Sequence, residues 1–264
     1  MIFDILSEII QSVKADCLIP DRDEEAIVGS QWVTNNMDIT DVTRNNDILS
    51  QILSGNIPDF LRKFSSVTIS VNSDELTYFT MPDYLSIGND KDYVRVPMDP
   101  LMAQKIADKF DCSLPTVKMV NQIWKASVNK LQPKPWGPPY NGDMLKTHRI
   151  GTHNSTINKQ LVDKDPFALT SGHKKDVVLT NRLYPNNPAK KVAIYGWIQT
   201  NGAAIQPLNP VSHESSYFDY SHGIRLISND CILNKTPFRL QDIFTSSTYS
   251  KLVSDEVPFK FLHY

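Results

Sequence analysis

Cysteine is scarce. Three thiols, Cys17, Cys112 and Cys231, are spread over 264 residues, too few and too scattered for a disulfide framework or a cysteine-rich zinc module. An odd count leaves one over even if a bridge forms, and each reads first as a buried, idle thiol. No apolar run approaches the roughly 18 residues of a membrane span. The beginning of the chain also lacks the basic head and unbroken apolar core of a signal peptide. Instead Ile2, Ile5, Leu6, Ile9, Ile10 and Val13 share one helical face, with Asp4, Glu8 and Lys14 between them. That spacing predicts a docked amphipathic helix. The expected location is the cytoplasm by default, with no membrane partner.

Excess charge is missing too. Lys and Arg number 27 against 29 Asp and Glu, for a formal charge of −2. Nothing global therefore attracts nucleic acid or acidic lipid. Hydrophobic content of 41% and charged content of 21% sit near globular values and disfavour disorder or a coiled coil. There is no internal repeat and no low-complexity tract. Neither HExxH nor paired CxxC occurs, so no compact metal motif is present.

What is present divides cleanly. Residues 1–64 read as helical: Asp41 caps a helix carrying Ile48, Leu49, Ile52 and Leu53 that stops at Gly55, and a short helix covers 58–64. Residues 66–71 and 76–81 predict a hairpin around Asn72-Ser73-Asp74. Residues 84–87 and 93–96 predict another at Gly88-Asn89-Asp90. Four strands in succession suggest an antiparallel meander. Asp99-Pro100 starts a helix to about Phe110, and Thr116 caps one to about Val128. Residues 129–142 hold Pro133, Pro135, Pro138 and Pro139 and read as an extended connector. It separates 1–128, with helices, strands and the helix pair, from 143–264, with one composite domain as the alternative. Beyond it, 143–165 reads as partly helical. Strands fall near 176–180, 191–198, 203–207 and 219–227, with a tail helix over 240–253. The fold class is α+β.

The chemistry concentrates in 171–227, which holds three of the six histidines, Lys174-Lys175-Asp176 and several tyrosines. In Asp219-Tyr220-Ser221-His222, strand alternation would put Tyr220 and His222 on one face, and Gly223 would leave space for a ligand beside the imidazole. His222 suits general acid–base work, with Asp219 or His213 orienting it and Tyr220 and Lys175 assisting substrate or oxyanion. Lys174, Arg225, Trp197 and Tyr217 are expected to line a small-molecule or peptide-like substrate. A histidine bonded to a backbone carbonyl within a sheet is the plainer reading of His222, as a solvated sheet edge is of the lysines. His173, Asp176, His213 and His222, with Asp219, would also suffice for a zinc site with an open position. His148 and His153 lie in a polar segment, where His153, Asn154 and Gln160 read as a solvated loop or a lid.

Two other readings concern residues 103–126. Asp111-Cys112-Ser113 resembles the Asp-Cys-Ser of papain-like cell-wall peptidases, which implies Cys112 as nucleophile and His222, on a later strand, as base. Here Leu114-Pro115-Thr116 intervenes before the helix, and the family's following glycine is absent. The same stretch has helix-turn-helix spacing, with Ala107 at the crossing and Lys118, Asn121, Gln122 and Lys125 facing a DNA groove. Two core helices joined by a short connector explain it as well.

The set GHKKDVVLTNRL, VAIYGW, IQPL and DYSHGIRL, behind PDYLSIGNDKDYVRVPM and SLPTVKMVNQIW, resembles a family of uncharacterised bacterial proteins over most of residues 55–227. That resemblance implies no activity. The residues themselves favour a hydrolase of an amide or peptide-type bond, with water as nucleophile or Cys112 in a covalent variant. A helix-turn-helix DNA-binding protein and a non-catalytic ligand-binding protein are the alternatives. Oligomeric state is left open.

Overall fold

The structure is a computed structural model and describes residues 18–37, 39, 41–137, 144, 146–187, 190–210 and 212–264. The amphipathic helix expected near the start of the chain, and Cys17, lie outside these residues.

Local signals place the helices. α1 (Gly29–Asn35) and α2 (Asp41–Leu53) come first, and the chain leaves α2 through Gly55 at φ +86°, a conformation only glycine adopts without strain. Asp59–Arg62 forms a single 3-10 turn. In α3 (Pro100–Lys109) the Asp99 carboxylate accepts from the Met102 N–H at 2.8 Å, while Pro100 occupies the first turn. In α4 (Val117–Ala126) the Thr116 hydroxyl accepts from Met119 N and donates to the Val253 carbonyl. Both starts match the sequence reading. α5 (Thr147–Asn158) and α6 (Leu240–Thr245) complete the helices among the described residues. The tail helix expected over 240–253 ends at Thr245, and only a 3-10 turn, Ser250–Leu252, follows.

Strands β1 (Ser65–Val71) and β2 (Asp74–Thr80) form the expected hairpin, in unbroken register from Ser65↔Thr80 to Val71↔Asp74. The expected meander does not continue. The outer edge of β2 is taken by β12 (Ile227–Leu233), which also pairs with β5 (Cys112–Ser113) and β13 (Thr236–Arg239) to complete a five-stranded sheet. β3 (Ser86–Gly88) and β4 (Tyr93–Arg95) therefore pair only with each other.

A second sheet has the order β10-β9-β8-β11, from β8 (Lys175–Val177), β9 (Ile194–Ile198), β10 (Ala204–Asn209) and β11 (His222–Gly223). β11 runs parallel to β8, with His222 opposite Lys175 and Gly223 opposite Asp176. The described start of the proline-rich stretch is not a loose connector. Its β6 (Asn129–Lys130) pairs with β7 (Thr170–Ser171), and Leu131 is buried against Ile157 and Leu161. One apolar core draws on residues from Ile19 to Phe261, so both sides of that stretch bury their surface together.

The helix-turn-helix reading fails on this geometry. β5 separates the two helices, and three of the four side chains that would enter a groove, Lys118, Asn121 and Gln122, are bonded to the protein itself while Lys125 stays exposed. Lys118 Nζ donates to the Lys251 carbonyl and pairs with Asp255 at 2.8 Å. Asn121 accepts from the Tyr195 hydroxyl, and Gln122 joins Tyr78 to the Leu252 carbonyl.

Candidate functional site

The site is built where β8 meets β11. Gly172 has φ +100° and passes within contact of the Leu131 and Ile198 carbonyls, where any Cβ would clash at 2.6–2.7 Å. That close passage carries His173 and Lys174 inward, and both are buried. The strand expected over 219–227 is instead a turn, the two-residue β11 and, at Ile227, the start of β12. The Asp219 side chain accepts from the N–H and hydroxyl of Ser221, and its carbonyl accepts from His222 N at 3.0 Å. A side chain bonding two residues ahead stabilises a turn in place of a strand. Tyr220 therefore lies in the turn, and only His222 and Gly223 join the sheet. Gly223 does not open ligand space either: a Cβ there would meet the Tyr84 ring at 2.6 Å and Lys174 Cβ at 2.7 Å.

Around His222 the structure gathers most of the residues singled out from the sequence. Lys175 Nζ lies 3.9 Å from Asp219 Oδ2 and 4.7 Å from the centre of the Trp197 ring. Tyr217 donates to Asp219 Oδ2 at 3.0 Å, stacks on His213 at 4.1 Å, and meets the His222 ring edge-on at 5.8 Å. Lys174 Nζ donates to the Tyr220 carbonyl at 2.5 Å. Burial alone would raise the Asp219 carboxyl, but His222, Lys175 and the Ser221 hydrogen bonds outweigh it and hold it at about 2. Burial pushes Lys174 down to about 7, with Arg95 adding to the effect against Asp219 and Asp83.

His222 is the anomaly. It is 1% exposed, and neither ring nitrogen has a hydrogen-bond partner among the described residues. Burial lowers it to about 4 despite the nearby Asp219 carboxylate, with Lys175, His213 and Lys174 contributing. The ring is thus neutral at pH 7. His153 repeats the pattern: it is buried on α5 with both nitrogens unpartnered and its ring edge-on to Tyr220 at 4.9 Å. Burial, then Lys174 and His173, drive its pKa well below the usual histidine value. The helix read into 143–165 is present, but its inner face includes Ile150, His153, Asn154 and Ile157, so His153 and Asn154 are buried and not in a solvated loop or lid.

Behind this lies a network that sequence reasoning missed. Arg95 donates through Nε and Nη2 to Asp83 Oδ2 at 3.0 and 2.7 Å, and through Nη1 to the side-chain carbonyls of Asn154 and Asn158. His173 Nε2 contacts Asp83 Oδ1 at 3.1 Å. Arg95, Asp83 and His173 are all fully enclosed. Arg95 and His173 hold the Asp83 carboxyl below the carboxylate range against the opposing effect of its burial. Burial takes His173 down to about 4. Tyr84 donates to Asp176 Oδ2 at 2.9 Å, and burial raises that carboxyl to about 7. Arg225 stacks 4.3 Å over Tyr84 and donates to the Met81 and Thr170 carbonyls. Arg225 thus clamps two backbone carbonyls beneath the Tyr84 ring.

The proposed zinc ligands are accordingly split. His173 and Asp176 already have partners in the inner network, while His213 and His222 lie with Tyr217. Among the described residues no three His, Cys, Asp or Glu side chains converge as a metal site. Cys112 is also placed elsewhere. It is buried in β5 of the five-stranded sheet, with Sγ donating to the Phe110 carbonyl at 3.4 Å, whereas His222 belongs to the other sheet. Thr116, not Cys112, sits at the helix start.

No family model, no curated protein and no solved structure matches this chain.

Proposed function

We propose that this protein is a hydrolase of an amide or peptide-type bond, using water as nucleophile and His222 as general base. The observation that carries the reading is the enclosed, neutral imidazole with both nitrogens unengaged. Leaving a buried polar atom unpaired costs about 1–3 kcal/mol, and groups retained at that cost concentrate at reactive sites. In the proposed reaction the water oxygen attacks the acyl carbon while His222 takes its proton. The Lys175 ammonium faces the oxyanion, and the Asp219 carboxylate stabilises the imidazolium. The oxyanion then collapses, the C–N bond breaks, and the proton on His222 passes to the departing nitrogen.

The test is amine release from a panel of N-acyl amino-acid amides and dipeptides. Wild-type kcat/KM should rise with pH through about 4, the His222 value, and level above it. His222→Ala should lose at least about a hundredfold, the usual worth of a general base. Release that survives His222→Ala unchanged would end the proposal. Saturable binding of the same compounds without turnover would move the protein to the ligand-binding reading.

A further inference from the structure

One face of the molecule is unlike the rest. The free edge of β1 runs beside α4, and between them lies a groove of about 590 Å³. Its floor is β1 from Val67 to Val71, and Lys118, Asn121 and Lys125 stand along the helical wall. Among the described residues β1 pairs only with β2. An edge strand points alternate N–H and C=O groups away from its neighbour, and proteins blunt such edges with proline, charge, bulges or shortness. The other edges show this protection. β13 is four residues long and carries Pro237 and Arg239, β10 carries Pro207 and a register shift, and β11 has only two residues. β1 is SSVTISV, with seven residues in unbroken register and neither proline nor charge.

We propose that this edge is a docking site for an extended acidic peptide, which adds to the sheet as a strand between β1 and α4. The backbone of β1 would supply the hydrogen-bond ladder, and the groove would receive alternate side chains. The charge of the helical wall selects the occupant. Lys125 is exposed and has no acidic partner among the described residues, Lys118 shares its charge with the highly exposed Asp255, and Asn121 keeps its side-chain NH2 unengaged. Two like edges from copies of this chain would place uncharged serine and valine rows beside Lys125 and leave that cation unmatched, whereas Lys118 already has Asp255. The site is separate from His222 and does not rest on the hydrolytic reading.

The probe is a fluorescein-labelled heptapeptide alternating valine and glutamate, compared with its valine–lysine counterpart by anisotropy on the intact protein. Saturable binding of the acidic peptide alone is expected, weakened about fivefold or more in Lys125→Glu. Because Val71↔Asp74 closes a two-residue turn, the Ser70 N–H points outward. Ser70→Pro should therefore abolish binding. A glutamate peptide N-methylated at alternate residues should fail on wild type, which keeps the test intact if that variant does not fold. Absence of saturation at about 1 mM, a limit near −4 kcal/mol, or binding unaffected by Lys125→Glu and N-methylation, would overturn the proposal. A doubling of mass with concentration, lost in Ser70→Pro, would assign the edge to a second copy and overturn it equally.

Discussion

Arg95→Met tests the inner network most directly. The guanidinium makes two hydrogen bonds to Asp83 Oδ2, one each to Asn154 and Asn158, and a longer one to the Tyr93 hydroxyl. Methionine approximates its stem and removes every donor. Asp83 would then be enclosed with the Tyr84 N–H and a His173 ring that is neutral at pH 7. Removing one partner of a buried ion pair costs about 3–5 kcal/mol, because the other charge is left uncompensated. With an m-value of about 3 kcal/mol/M, the urea midpoint at pH 7 should fall by roughly 1–1.7 M.

Protonation sets a ceiling on this loss, and the ceiling depends on pH. The Asp83–His173 pair can escape by taking up one proton. Forcing a proton onto a carboxyl of ordinary pKa costs about 4 kcal/mol at pH 7 but only about 1.5 kcal/mol at pH 5. Measured against wild type at each pH, the deficit of Arg95→Met should therefore shrink by more than half between pH 7 and 5. Arg95→Met combined with Asp83→Leu should recover much of the loss, since no charge is left behind. A deficit below about 1 kcal/mol at pH 7 would refute the reasoning. So would a full deficit equal at both pH values, which would assign the loss to packing.

Two further outcomes concern acid stability. His153, His173 and His222 all have depressed pKa values in the fold, so each contributes stability that is full above about 6.5 and lost as pH falls, for His173 and His222 toward about 4. Asp176 is raised to about 7 and has the opposite sign, its contribution being present below about 3.9 and lost as pH rises to 7. At pH 5 unfolding should thus take up about one proton net from the groups of known value, two on His173 and His222 less one from Asp176, with His153 adding to it, for a slope of at least about 1 kcal/mol per pH unit. Urea midpoints between pH 6 and 4.5 measure this, and a flat profile would contradict it. In Asp176→Asn the opposing proton disappears, so the slope should steepen by about 1.4 kcal/mol per unit while stability at pH 8 is kept or raised. A steep loss at pH 8 in that variant would show that the Tyr84 hydrogen bond needs a carboxyl group.

Elements written in local code are legible in the sequence itself. Asp99-Pro100 and Thr116 mark helix starts through side-chain bonds to amides three residues away, and Gly55 and Asn72 mark stops through positive φ. The fold departs from expectation where a non-local partner decides the outcome. Nothing in residues 74–96 says that β2 will pair with a strand about 150 residues later, and the meander is lost for that reason alone. The 219–227 run has strand composition, yet the Asp219 carboxylate captures Ser221 and turns the chain.

The site divides along the same line. His222, Asp219, Tyr217, Lys175 and His213 can be picked out from the sequence because most lie within a few residues of one another, and the turn keeps those close in space. The groups that enclose them come from far away: Tyr84 reaches Asp176 across 92 residues, and His173 reaches Asp83 across 90. Some signal is there to use. Arg95 interrupts the apolar run YVRVP, and a lone charge inside a buried strand implies a buried counter-charge. His153 sits at helical spacing between Ile150 and Ile157, on the face that packs inward. Both residues read as surface only when polarity is taken for exposure. In this protein the polar groups are the interior of the site, and hydrogen bonds from distant strands and α5 hold its inner half.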